Sequence, residues 1–211
     1  ATESKAGQAT ASNLSRQAMD HLQASSLSDV MQLMPGGVIA NPNLSSAKTF
    51  TIRSVDNGAT GSSMNSLGTT IYMDGSPLSN NANMQALSPT ITGSAVAVGG
   101  GSNPNSGYDI RSISTDNIES IEVIRGIPSV EYGDLTSGAV IVRSKAGREP
   151  LTVRFKTDPS IYQTSVSKGI NLGAKKGNLN VSADYAYSTT ELTESYVYYQ
   201  RATAKALYSN V

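Results

Sequence analysis

The 211-residue sequence has no cysteine and a single histidine. Without cysteine there can be no disulfide staple, no thiolate nucleophile and no cysteine-based metal site. His21 is expected on the surface of a short helix, and no Ser-His-Asp set can be assembled around it. Charge is scarce as well. Only 15% of residues are charged, and Lys plus Arg equals Asp plus Glu at 16 each, so the formal net charge is zero and no basic surface for nucleic acid is expected. Long apolar runs are missing too: nothing approaches the roughly 18 to 20 apolar residues of a membrane-spanning helix. That excludes insertion by helices and leaves insertion by strands open. Glu119 and Glu122, three apart on one strand, fall on opposite faces and cannot act as an acid pair. The Gly99-Gly100-Gly101 run lacks the Lys-Ser or Lys-Thr of a phosphate loop. No catalytic, cofactor or metal residue is assigned.

What fills the chain is Ser, Thr, Asn and Gly around a 38% hydrophobic fraction, a mixture suited to strands and loops. Residues 1–13 are small and polar without periodicity and read as an extended or mobile lead-in. Ser15 is placed to cap a short helix over 16–22. Ser28 and Asp29 open a second helix carrying Val30, Met31, Leu33 and Met34, which Pro35, Gly36 and Gly37 end abruptly. Period-two alternation predicts strands over 48–54, with Phe50 and Ile52 on one face, and over 69–73, closed by an Asp74-Gly75 turn. It also predicts an interior strand over 118–125 and an apolar one over 139–143. Four short strands and two helices make a small α+β domain with a mixed sheet. The long stretch 76–107 between them is of the kind that is functional or disordered.

Composition changes near Glu149 and Pro150. Seven of the ten tyrosines lie beyond that point, and alternation becomes plainer. Leu179, Val181, Ala183, Tyr185 and Tyr187 share one face, with Asn180, Ser182, Asp184 and Ser188 on the other. Tyr162, Thr164, Val166, Ile170 and Leu172 line up, interrupted by Lys168. Tyr198, Ala202, Ala204, Ala206 and Tyr208 stand opposite Arg201, Thr203 and Lys205. Strands with one greasy face, one polar face and tyrosines near their ends fit a transmembrane β-barrel, whose backbone must satisfy its hydrogen bonds by closing on itself. An antiparallel sandwich with one solvated face yields the same alternation, so the residues leave both readings open, the second being a soluble adhesin or carbohydrate-binding protein.

Three blocks, in order, resemble the plug domain of TonB-dependent outer-membrane receptors. These are SLSDVMQLMPGGV from Ser26, TIYMDGSP from Thr70, and NIESIEVIRGIPSVEYGDLTSGAVIVRSK from Asn117. The last carries the family's Ile-Glu-x-Ile-Glu-Val strand, then Arg-Gly, then Tyr-Gly, then a small-residue strand leading to Lys. Ser54 and Ala139 depart from positions where the family often has Gly. The resemblance implies a plug domain over 14–147 and the first four or so strands of an incomplete barrel over 148–211. The remainder of the barrel, the energy-coupling box and any signal segment are expected outside this chain.

It further implies TonB-driven import of a nutrient across the Gram-negative outer membrane, with no enzyme activity. The partners expected are the TonB energy-coupling complex, outer-membrane lipid, a surface lipoprotein lid, and a small neutral nutrient such as an oligosaccharide or peptide. Loops within 56–66, 76–85 and 99–109 are the expected substrate surface, through Asp56, Asn57, Asn80, Asn81, Asn83, Gln85, Asn103, Asn105, Tyr108 and Asp109. Structural and gating roles are expected for Arg53, Asp74, Gly75, Glu119, Glu122, Arg125, Gly126, Tyr132 and Gly133. Arginines such as Arg53, Arg125 and Arg143 are expected to pair with carboxylates, so that a plug held by polar contacts can be shifted by pulling.

Overall fold

The computed structural model of the chain describes residues 11–31, 33–34, 44, 50, 52, 68–79, 108–125, 132, 138–173, 176–189 and 198–210. They fall into two compact units, one within Ala1–Asn13, Ser46–Ile110 and Glu122–Val142, the other within Leu14–Ser45, Arg111–Ile121 and Arg143–Val211.

The first sheet is mixed, as expected, and among the described residues has five strands: β1 (Ala11–Ser15), β4 (Ile118–Arg125), β5 (Gly138–Ser144), β2 (Thr69–Met73) and β3 (Ser76–Pro77), in that spatial order. β1 begins within the expected lead-in, and β3 is the return arm of a hairpin. The strand expected over 48–54 lies outside the described residues, except that Ile52 is buried and Phe50 half-buried.

Asp74 (φ 52°) and Gly75 (φ 86°) both adopt positive φ, the backbone of the two-residue turn that matches strand twist. Tyr72 is thereby set opposite Pro77, and Met73 opposite Ser76. β2 runs parallel to β5, with Ile71 opposite Val140. Interior position accounts for the apolar character of β4 and β5. Val123, Ile124, Ala139, Val140 and Val142 are each no more than 1% exposed, so both faces are covered and the alternation seen in half-solvated strands disappears.

The second unit holds two short helices, α1 (Arg16–Leu22) and α2 (Leu27–Met31), two single 3₁₀ turns at Ile110–Ser112 and Thr115–Asn117, of which the first begins one residue before the unit, and a four-stranded antiparallel sheet. Ser15 stands at the α1 N-cap with extended backbone, but its side chain makes no capping bond. Asp29 does cap α2: its Oδ2 accepts from the backbone N–H of Ser25 and of Ser26, both at 3.0 Å. This is the return half of a capping box and satisfies two amides that the helix start leaves open. The helix is shorter than predicted and ends at Met31.

The second sheet runs in sequence order: β6 (Thr152–Asp158), β7 (Ile161–Asn171), β8 (Asn178–Thr189) and β9 (Tyr198–Ser209). Its long ladders give each residue a fixed row, for example Val153, Val166, Ala183 and Ala204. Exposure is reversed relative to a soluble sheet. The outward face shows Val153 (65% exposed), Phe155 (69%), Val166, Ile170, Val181, Tyr185 and Tyr208. The covered face holds Gln163, Ser165, Ser167, Asn180, Ser182, Asp184, Ser188 and Arg201, each no more than 7% exposed. A sandwich in water would do the opposite, because burial of apolar area is what stabilises it. A barrel wall in lipid needs apolar groups outside and tolerates polar ones inside. No closed barrel forms from the described strands, consistent with part of one.

Candidate functional site

The covered face of β6–β9 is a grid of polar residues, and the segments folded with it in the same unit supply the partners. Two rows carry charge: Arg154, Ser165, Asp184 and Thr203 lie across one, and Lys156, Gln163, Ala186 and Arg201 across the next.

At the centre is the Asp184–Arg201 pair, with both side chains almost wholly buried and Arg201 Nε 3.0 Å from Asp184 Oδ1. The guanidinium also reaches out of the sheet. Nη1 donates to the Arg111 carbonyl at 2.6 Å and Nη2 to the Ser25 carbonyl at 3.1 Å. Asp184 accepts further from Gln163 Nε2 (2.7 Å) and Thr203 Oγ1 (3.2 Å). Every direction around this buried pair is therefore occupied by a donor or acceptor, as two charges removed from water require.

Gln163 Nε2 also donates to Asp116 Oδ2 at 3.0 Å, which links the centre to a second cluster. Asp116, in the second 3₁₀ turn, is 3% exposed and lies 2.8 Å from Lys156 Nζ, 3.7 Å from Arg154 and 4.0 Å from Arg16. Lys156 Nζ donates to the Ala24 carbonyl at 2.7 Å, and Arg16 Nη1 to the Thr115 carbonyl at 2.6 Å. Asp20 bonds both Arg16 and Arg154. Partial burial alone would raise its carboxyl pKa, but the hydrogen bonds from Arg154 and Arg16, with their charges, outweigh it and bring the value down from 3.8 to about 2. Lys145 at the end of this region is pushed below the usual lysine range, first by burial and then by the nearby Arg16 charge, with Glu149 opposing.

Arg111 donates to the Leu44 carbonyl at 2.8 Å and lies over the Tyr199 ring, 4.4 Å from its centroid. Below it Leu44, Ile161 and Ala186 form a small buried apolar cluster against which Tyr199 packs. The segment that leads into β6 is held by backbone bonds, Lys145 N to the Asn117 carbonyl (2.9 Å) and Gly169 N to the Glu149 carbonyl (3.1 Å). Chemically the grid can hold segments by ionic and amide contacts; among the described residues no three metal-ligating side chains come together.

Most of the residues singled out in the sequence are not among those the structure describes. Asp56, Asn57, Asn80, Asn81, Asn83, Gln85, Asn103, Asn105, Arg53, Gly126 and Gly133 lie outside the described residues. Of the remaining substrate candidates, Tyr108 is half-buried and Asp109 buried. Asp74 and Gly75 form the hairpin turn, Glu119 is exposed and Glu122 half-buried, Arg125 donates to Ser12 Oγ at 2.8 Å, and Tyr132 packs edge-on against Tyr72 with centroids 4.9 Å apart. His21 is exposed on α1, as expected. The grid residues Arg16, Asp116, Arg154, Lys156 and Gln163 were missed, although Arg154, Lys156 and Gln163 sit at alternate positions of strands whose other face is apolar, and that spacing is the signal that marks them.

A family model described as the TonB-dependent receptor plug domain matches residues 3–140. No curated protein matches the chain. Among solved structures, a mutant of the ferric enterobactin receptor of Pseudomonas aeruginosa in complex with enterobactin is 20% identical with a TM-score of 0.54, over 87% of this chain and 26% of the receptor. The pyoverdine outer membrane receptor of Pseudomonas aeruginosa, bound to pyoverdine, is 15% identical with a TM-score of 0.55, over 93% and 24%. A second mutant of the enterobactin receptor is 22% identical with a TM-score of 0.50, over 87% and 25%. The chain thus spans about a quarter of the length of these receptors, and at such identities the likeness is one of fold.

Proposed function

This chain belongs to the TonB-dependent receptor plug-domain family of the Gram-negative outer membrane, and on that premise we propose that it is the plug and first wall strands of a receptor that imports a nutrient under TonB drive. The family is one of transporters rather than enzymes. The observation that carries the reading is the inverted sheet. An apolar outer face suits lipid, and a polar inner face joined to α1, α2 and the 3₁₀ turns by ionic and amide contacts suits a plug that must come loose and re-form in a wet lumen. Each group released there is rehydrated, so a neutral contact costs about 0.5–1.5 kcal/mol and a charge-assisted one about 1.5–3 kcal/mol to exchange for water, whereas apolar contacts would lose their whole burial term. A contiguous exposed apolar face marks a membrane or protein contact rather than a surface left in water.

We take the plug as 14–147 and the wall as beginning at 148. Substrate contact is assigned to the loops that carry Asn57, Asn80, Asn81, Asn83, Gln85, Asn103, Asn105 and Tyr108, whose amide-rich chemistry favours a neutral polar nutrient such as an oligosaccharide or peptide. The enterobactin and pyoverdine complexes of the solved receptors favour a second reading, a ferric siderophore. The test is uptake. A strain lacking the full-length gene is compared with its complemented parent for entry of radiolabelled ferric siderophores, oligosaccharides and peptides, with and without TonB depletion. Loss of one class in the deletion strain, reproduced by TonB depletion, is expected. Unchanged entry of every class, with the protein in the soluble fraction, would remove the reading.

A further inference from the structure

The outer face of the second sheet contains one cation in the wrong place for an apolar surface. Lys168 is exposed on β7, between Val166 and Ile170 along its own strand and opposite Val181 across the ladder, all exposed apolar residues. No hydrogen bond or ion pair is found for it among the described residues. A lysine in that setting has two ways to avoid the cost of a bare charge in hydrocarbon: to extend to the polar border, or to meet an anion there.

The rows locate the border. Tyr162 and Tyr187 pair at one end of the sheet, and Ile170, Leu179 and Tyr208 share a row at the other. From Tyr187 to Leu179 is eight residues of strand, roughly 26 Å at about 3.3 Å per residue, which a barrel tilt reduces to about 20 Å of depth, close to the roughly 25 Å apolar band between aromatic girdles. Lys168 lies a single outward row inside the Tyr208 border, about 7 Å along the strand, and a lysine stem spans that distance. At the same end the exposed Lys176 occupies the β7–β8 turn, where its carbonyl accepts from the Tyr208 hydroxyl at 2.9 Å.

We propose that Lys168, with Lys176 beside the Tyr208 border, binds the phosphate of an anionic glycerophospholipid at that border, fixing the height of the wall in the membrane. The inference rests on the reading of this sheet as a lipid-facing wall. Charge complementarity selects the occupant: a headgroup phosphate at the polar border is the anion that a cation on this face meets there, and basic groups at a membrane surface each strengthen anionic lipid binding.

The full-length receptor, extracted in a mild detergent, is titrated with phosphatidylglycerol and read by native mass spectrometry, alongside Lys168→Gln and Lys168→Arg. Heat-modifiable migration is scored first for all three. A wild-type chain that shows none would sink the wall reading itself, whereas the result below bears on Lys168 alone. With folded barrels, Lys168→Gln is expected to retain phosphatidylglycerol about fivefold more weakly, and Lys168→Arg to restore it. Retention by Lys168→Gln equal to wild type overturns the assignment, and so does competition in which lipopolysaccharide, not phosphatidylglycerol, is the lipid that Lys168→Gln loses.

Discussion

Arg201→Ala is the most informative perturbation of the polar grid. In the wild-type chain the guanidinium meets Asp184 and donates to the carbonyls of Arg111 and Ser25. Truncation removes two charge-assisted bonds to those segments, at about 1.5–3 kcal/mol each, and strands a buried carboxylate with only Gln163 and Thr203 as donors. Breaking a buried pair from one side costs about 3–5 kcal/mol, and the two routes agree.

The loss falls on the segment around Ser25, whose neighbour Leu27 bonds the Ile113 carbonyl at 2.9 Å. Hydrogen exchange of the full-length receptor in detergent reads it directly. A change of about 3 kcal/mol corresponds to faster opening on the order of a hundredfold, expected for amides within 25–31 and 113–116 and absent from β2. Asp184→Asn keeps the two carbonyl contacts and should open the same amides far less. If Arg201→Ala leaves exchange in 25–31 unaltered, Arg201 does not hold that segment and the account of the grid fails.

Three further outcomes are expected. Asp20 has a folded pKa of about 2 against 3.8, so its bonds to Arg16 and Arg154 contribute above 3.8 and are lost as pH falls through about 2; because its side chain is 38% exposed, screening leaves about 1 kcal/mol, and Asp20→Asn should lower the urea midpoint at neutral pH while flattening its decline in acid. Gly169→Ala would put a Cβ against the Gly147 carbonyl and the Glu149 amide, an overpacking worth about 1–3 kcal/mol, visible as faster proteolysis of the 145–150 segment; resistance equal to wild type would show that the segment can yield. Ala183→Arg places a charge midway between the tyrosine rows on the outer face, and refolding into lipid vesicles should lose about 2–4 kcal/mol, whereas on a solvated sandwich the same change would stay within about 0.5 kcal/mol.

The parts of the fold legible in the sequence are those where one physical requirement dominates. Asp74-Gly75 reads as a hairpin because positive φ at both positions restricts the residue types, and the alternation of 179–187 reads as a two-faced strand because every second side chain is apolar, although alternation alone does not tell a lipid-facing wall from a sandwich. Two elements were not legible. β1 carries a polar sequence, ASNLS, and pairs with β4 at the sheet edge, so burial leaves no pattern in it. The grid was only half visible: its strand residues alternate, but their partners include Asp20, Asp116 and the backbone carbonyls of Ala24, Ser25 and Arg111, and nothing local to Asp116 says that it ends 2.8 Å from Lys156, forty positions away.

That distribution bears on how the unit could come apart. Among the described residues its contacts include two contrasting kinds, the ionic rows around Asp116 and Asp184 and the apolar cluster of Leu44, Ile161 and Ala186. Parting the rows exposes groups that water solvates at once, so the cost is limited to the difference between a protein and a water partner. Parting the cluster exposes apolar surface, with a cost proportional to area and no compensation. A force applied from the N-terminal side reaches Arg16, Asp20 and Ser25 before it reaches Leu44. Separation should therefore start at α1 and proceed along the rows, with the apolar cluster the last contact to yield and the first to guide the segments back.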